Sequence, residues 1–181
     1  MDGKDFLQLV SSRQSDRAFD KGRLVEGDKL DRILEAGRLA PSACNAQPWK
    51  FVVVTDPDLA HKVGRLASSL GMNKFVKEAP VHILIVEESA NLTSMIGTKV
   101  KGKYFPLIDI GIVAAHMALA AESEGLGSCI VGWFNEDEIK QCVGIPASKR
   151  LLLDLIIGYP LKGKRPKSRK DKAKVVSYNR Y

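Results

Sequence analysis

Residues 107–124, LIDIGIVAAHMALAAESE, decide the fold class. Ile110, Val113, Ala114, Met117, Ala118 and Ala121 recur at helical spacing and form one apolar stripe. Ile112, Ala115, Leu119 and Ala120 make the opposite side apolar as well. A helix apolar nearly all round is buried. In a chain of 181 residues, its second side is expected at a contact between subunits. The small alanines would let another backbone come close.

Working outward, VHILIVEE (81–88) precedes this helix as a strand. GLGSCIVGWF (125–134), a short helix capped by Asn135, and the strand LLLDLIIGYP (151–160) follow it and complete the core. KFVVVTD carries a β-branched strand over residues 51–55. Helices are expected from a cap at Asp2 or Asp5 to about residue 12, over 26–39, where Pro41 ends the run, and over 57–70 from Pro57. Asp154 is unusual inside an apolar strand and is expected to face solvent or to pair with a cation. The alternation predicts an α+β (mixed α/β) layered fold, a central mixed sheet flanked by helices, in one domain over 1–181. Residues 89–106 follow neither period and read as a candidate lid or a plain surface loop. The tract carries Lys99, Lys101, Lys103, Tyr104 and Phe105. Residues 170–181, ending VVSYNRY, read as an extended C-terminal arm.

The net charge of +7 is local. KGKRPKSRKDKAK (162–174) holds eight Lys/Arg and one Asp, and the remaining chain balances 20 basic against 20 acidic residues. Such a run can be a nucleic-acid arm, a lipid anchor, a solvated tail or a phosphate clamp. It lacks the interleaved aromatics of a nucleic-acid surface, and the rest of the chain is neutral, so no nucleic-acid partner is expected. No apolar run is read as reaching the roughly 20 residues of a membrane span, and the charged N-terminus reads as no signal peptide. Cys44, Cys129 and Cys142 form no CxxC pair, which fits a reducing, cytoplasmic setting without zinc or an iron–sulfur cluster.

Phosphate-loop, dinucleotide and nucleophile-elbow motifs are missing. His61, His82 and His116 stand on separate elements without ligand spacing and read as surface or packing residues. Cys44 beside a polar loop reads as a nucleophile or, with no histidine partner in view, as a small buried residue. With no acid–base machinery in view, a cofactor would carry the chemistry. Three segments suit one. In RQSDR, Arg13, Ser15 and Arg17 alternate and can face one way in an extended loop. In PSACNAQPW, Ser42, Asn45 and Gln47 offer amide and hydroxyl groups between prolines. In PKSRK, Lys167 and Arg169 repeat the alternation. Together they describe a clamp for a phosphate joined to a polar heterocycle, although each alone also reads as an ordinary loop.

RQSDRAF, APSACNAQPWKFVVV, GLGSCIVGWF, IIGYP and the basic KSR ahead of VVSYNRY resemble, in that order, the nitroreductase family of FMN enzymes. The resemblance runs from about residue 6 to the end. It implies an intertwined homodimer with FMN at the subunit interface. Arg13, Gln14, Ser15 and Arg17 would form the first FMN-contacting stretch, with Arg17 at the N1–C2 edge of the flavin. Pro41, Ser42, Ala43 and Asn45 would reach the flavin from the partner subunit, with Gln47 a weaker contact. The backbone of Val131, Gly132 and Trp133 would lie along the N5–O4 edge, and Lys167 and Arg169 would grip the phosphate. No catalytic side chain is implied, since the flavin N5 carries the reaction. NADH or NADPH would reduce the flavin, then give way to a nitroaromatic, quinone or similar acceptor. The alternatives are specialised flavin chemistry such as dehalogenation or ene reduction, an FMN-binding protein without turnover, and a polyanion binder acting through 162–174.

Overall fold

Strand β2 (Val81–Glu87) runs through the middle of the protein and is buried at all but its last residue. In the computed structural model, which describes residues 2–68, 72–88 and 103–181, its alternating side chains serve two cores. Val81, Ile83 and Ile85 enter one core, and Leu84 and Val86 the other. β2 pairs with β1 (Trp49–Val54) on one side and β4 (Arg150–Gly158) on the other, and β4 pairs with β3 (Gly127–Val131). The described sheet therefore has the order β1-β2-β4-β3. All of these pairings are antiparallel, and the parallel component is the isolated bridge Ser15–Ser128.

Helix α1 spans Gly3–Ser12, α2 Gly27–Arg38, α3 Pro57–Ala67, α4 Phe105–Ser123 and α5 Glu136–Val143. Asp2 caps α1 and closes a capping box with Asp5, so both acidic residues take part. Asn135 caps α5 through the Glu138 amide, and Asp56 caps α3 just before Pro57. α4 starts two residues before its expected position because Pro106 suits a first turn. α3 ends at Ala67, and residues 69 and 70 of its expected span lie outside the described residues.

The two faces of the sheet define the layers. Ile110, Val113, Ala114, Met117, Ala118 and Ala121 of α4 pack with Leu30 and Ile33 of α2 over Leu155 and Ile157 of β4. Ile110, Val113 and Met117 are at most 2% exposed, and burying each contributes about 1.5–3 kcal/mol. Ala60, Val63 and Ala67 of α3 cover the other face with Ile139 of α5, over Leu84, Leu151 and Ile156. Gly64 lets α3 sit directly on the turn Val76–Glu78; an ideal Cβ there would lie 2.5 Å from the Lys77 Cα. Since backbone blocks that space, Gly64→Ala is expected to cost about 1–3 kcal/mol, read as a lower urea midpoint.

α4 is long and apolar enough to cross a membrane, a length the sequence reading missed, yet its main stripe packs on α2 and the sheet. Its other side keeps Leu107 and Ile108 about half exposed and Ile112 and Leu119 partly so. α1 adds exposed Phe6 and Leu7. The C-terminal arm contains the turn Lys172–Lys174 and then runs exposed through Val175, Val176, Tyr178 and Tyr181. Of the candidate lid, residues 89–102 lie outside the described residues; Tyr104, just before α4, donates its hydroxyl proton to Glu87.

Candidate functional site

Residues 13–17 run extended beside β3, anchored by the Asp16 amide donating to the Ser128 carbonyl at 2.8 Å. An extended chain alternates its side chains, and here Gln14 and Asp16 turn inward and are buried. Arg13, Ser15 and Arg17 turn outward and line one cleft of about 300 Å³. Arg165, Pro166, Lys167, Ser168 and Arg169 form its opposite wall. The structure thus brings the first and third candidate segments together, from opposite ends of the chain.

Hydrogen bonds fix the two walls to each other. The Gln14 Oε1 accepts from the Arg165 amide at 3.1 Å and its Nε at 3.3 Å, and the Gln14 Nε2 donates to Asp16 Oδ1 at 2.8 Å. Arg165 also donates to the Ser15 carbonyl at 2.8 Å, and the Lys167 ammonium donates to the Arg13 carbonyl. Gln14 therefore ties the walls together as well as lining the cleft. Arg165 was not among the expected site residues. Its signal was present in the sequence, since it continues the alternation of Lys167 and Arg169 by one step.

The cleft is strongly cationic. Burial lowers the Lys167 pKa below the ordinary lysine value, and the Arg13 and Arg169 charges push it down further. Glu122 is held by Lys164 at 2.6 Å instead. Five cations around one small cavity, with the hydroxyls of Ser15 and Ser168 among them, suit an anion with several acceptor oxygens such as a phosphate ester. Arg17, also on the cleft wall, has its guanidinium carbon 5.6 Å from the Phe75 ring centre.

The second segment stands apart. Ser42 precedes a tight turn at Ala43–Asn45, and Cys44, Asn45 and Gln47 all have positive φ, between 46° and 53°. Such backbone is costly for residues other than glycine and persists only where neighbours hold it. The Ser42 hydroxyl accepts from the Gln47 amide at 2.9 Å, and Asp109 of α4 accepts from the Ala43 amide at 3.0 Å. The turn leaves Pro41, Cys44, Asn45 and Gln47 exposed. Cys44 is thus not the small buried residue that the sequence also allowed. None of Pro41, Ser42, Ala43, Asn45 and Gln47 lines the cationic cleft of its own chain. Gln47 borders a groove of about 530 Å³ between α2 and β1, walled by Leu34, Trp49, Phe51 and Val53 and edged by Asp31 and the Glu35–Arg38 ion pair. Asp109, 2% exposed, was missed; an acidic residue inside an apolar helical stretch was the available signal.

Val131 is buried at the end of β3, whereas Gly132 and Trp133 are exposed and line no part of the cationic cleft. The Trp133 carbonyl accepts from the Asn73 side-chain amide at 2.9 Å. Behind the cleft, burial raises the Cys129 thiol pKa, so this cysteine is no ready nucleophile. Asp154, the anomaly of β4, meets His82 of β2 at 2.8 Å, both fully buried. His61 and His116 are exposed.

The described residues thus form a three-layer α+β fold with a cationic cleft built from residues 13–17 and 165–169. The chain belongs to the nitroreductase family, whose sequence profile matches residues 10–71 and 66–159. The iodotyrosine deiodinase 1 of Rattus norvegicus is 27% identical over 90% of this chain, which spans 65% of that protein's length. A protein of Methanothermobacter thermautotrophicus, provisionally named an NADH dehydrogenase/NAD(P)H nitroreductase, is 30% identical over 88% of this chain and 82% of its own. Among solved structures, an FMN-dependent nitroreductase of Clostridium difficile superposes with a TM-score of 0.78 at 25% identity, covering 97% of this chain and 99% of that one.

Proposed function

We propose that this chain is an FMN-dependent oxidoreductase that takes reducing equivalents from NADH or NADPH and passes them to a small electron-poor acceptor. A nitroaromatic or a quinone is the acceptor class. The reading rests on the cleft where Arg13, Arg17, Arg165, Lys167 and Arg169 converge. It is supported by family membership and by the FMN dependence of the Clostridium difficile relative. Bound there, FMN would supply the redox centre that the side chains lack, accepting hydride and returning electrons.

The chain's own residues bind and orient. Arg13, Lys167 and Arg169 would hold the phosphate, while Arg165 and Gln14 keep the two walls in register. Ser15 would hydrogen-bond the chain beyond the phosphate, and Arg17 would present its charge to the flavin edge. Val131, Gly132 and Trp133 would offer backbone at the far edge. Ser42, Ala43 and Asn45 would come from a second copy, as they line no part of the cleft in their own chain.

A homodimer of single-domain 1–181 chains also gives the uncovered apolar surfaces a partner. These are Leu107 and Ile108 of α4, Phe6 and Leu7 of α1, and Val175, Val176 and Tyr178 of the arm. The arm would lie along the α2–β1 groove of the other copy, where Leu34, Trp49 and Phe51 offer apolar surface to Val175, Val176 and Tyr178. A variant ending at Lys170 keeps the clamp but is expected to sediment as a monomer, where the full chain sediments as a dimer. A monomeric full chain overturns this arrangement.

Purified protein is expected to be yellow and to bleach anaerobically with NADH or NADPH. Colourless protein that takes up no added FMN ends the reading. The lowered pKa of Lys167 also sets a pH dependence. The cationic form binds phosphate, so affinity falls as pH rises towards the ordinary lysine value of 10.5, earlier than an unperturbed lysine would allow. Lys167→Arg is expected to flatten that fall in a fluorescence titration of FMN.

A second reading, reductive dehalogenation of an aromatic substrate, is favoured by the deiodinase relatives. Halide released from a halogenated phenol by the dithionite-reduced protein, without matching turnover of nitroaromatics, selects it.

A further inference from the structure

We propose that residues 73–75 form a positioning brace that fixes Arg17 and the Trp133 carbonyl relative to each other, and so sets where the Arg17 cation meets the flavin. This rests on the reading of the cleft as an FMN site. Asn73 holds a left-handed backbone, φ 55°, and from it the side-chain amide reaches Trp133 at 2.9 Å. Two residues later, the Phe75 ring carries the Arg17 guanidinium at 5.6 Å. One short segment thus touches both site elements, at the end of β3 and in the strand of residues 13–17.

The brace is anchored from behind. The Val76 amide donates to the Asn73 carbonyl at 2.9 Å, and the Glu78 amide to the Phe75 carbonyl at 3.0 Å. Val76 is fully buried, and the backbone at Val76 and Lys77 sits against Gly64 of α3. Phe75 itself packs on the second core. The choice of a ring has a chemical consequence. A carboxylate would hold the guanidinium but cancel its charge, whereas an aromatic face orients the cation and leaves the charge available. That is what a residue stabilising negative charge on a bound heterocycle requires.

The test uses the full chain loaded with FMN, with affinity read from fluorescence quenching and the midpoint potential from dye-coupled titration. Phe75→Leu is expected to weaken FMN binding about two- to fivefold and to lower the midpoint potential, while Phe75→Tyr retains both parent values. In an Arg17→Gln background, Phe75→Leu should add nothing further. Asn73→Gly keeps the left-handed backbone but removes the amide, and is expected to shift the visible absorption bands of bound FMN. A parent chain that takes up no FMN overturns the reading of the cleft, and the brace with it. A parent that binds FMN, with Phe75→Leu matching it in affinity and potential or acting equally in the Arg17→Gln background, overturns the brace alone.

Discussion

Replacing Lys167 and Arg169 together by alanine is expected to weaken FMN binding by about a hundredfold or more. Both side chains line the cleft, and a charge-assisted contact to a phosphate contributes roughly 1.5–3 kcal/mol. Lys167 is half-buried and Arg169 exposed, which places each at the lower figure. Two such losses still exceed two orders of magnitude in the dissociation constant. The control lies one step along the chain. Lys170 and Lys172 have the same charge but do not line the cleft, so their double alanine variant should bind FMN as the parent does. Fluorescence quenching measures both. Equal losses in the two variants would make 162–174 a diffuse polyanion-binding tract, and no loss in either would remove the clamp.

The largest stability effect is expected at His82. This ring and the Asp154 carboxylate are fully buried between β2 and β4, and beyond their shared contact His82 Nε2 and Asp154 Oδ1 have no partner among the described residues. His82→Leu leaves the carboxylate alone in the core, which costs about 3–5 kcal/mol. For a chain of this size that lowers the melting temperature by about 6–20 °C. The double variant His82→Leu/Asp154→Leu is expected to recover most of the loss, since replacing both partners with apolar groups strands no buried charge. Additive losses in a denaturant-based double-mutant cycle would contradict this account.

Features repeated along one element were legible in the sequence. The two-sided apolar pattern of α4, the alternation of Arg13, Ser15 and Arg17, and the caps at Asp2 and Asn135 follow from backbone periodicity and local hydrogen bonding. Pairings set by strand register were not. Asp154 was a recognisable anomaly and His82 an isolated histidine, yet their meeting depends on β2 and β4 lying side by side in the register that pairs His82 with Ile156 and Leu84 with Asp154. Asp109 and the amide of Ala43 are 66 residues apart, and Asn73 and Trp133 are 60 apart. No local rule links such pairs. Cys44 shows another limit, because composition favours a small buried residue while the turn's left-handed backbone carries it outward.

The bond between Gln14 and the Arg165 amide spans 151 residues and joins the two ends of the chain. Termini are ordinarily where a fold begins to fray. Here a ligand seated between residues 13–17 and 165–169 would act as a latch on both ends at once. At a hundred times its dissociation constant, such a ligand adds about 2.7 kcal/mol to global stability. Residues 165–169 also leave the ribosome after the four described strands, so a growing chain can settle that sheet before it can hold a ligand.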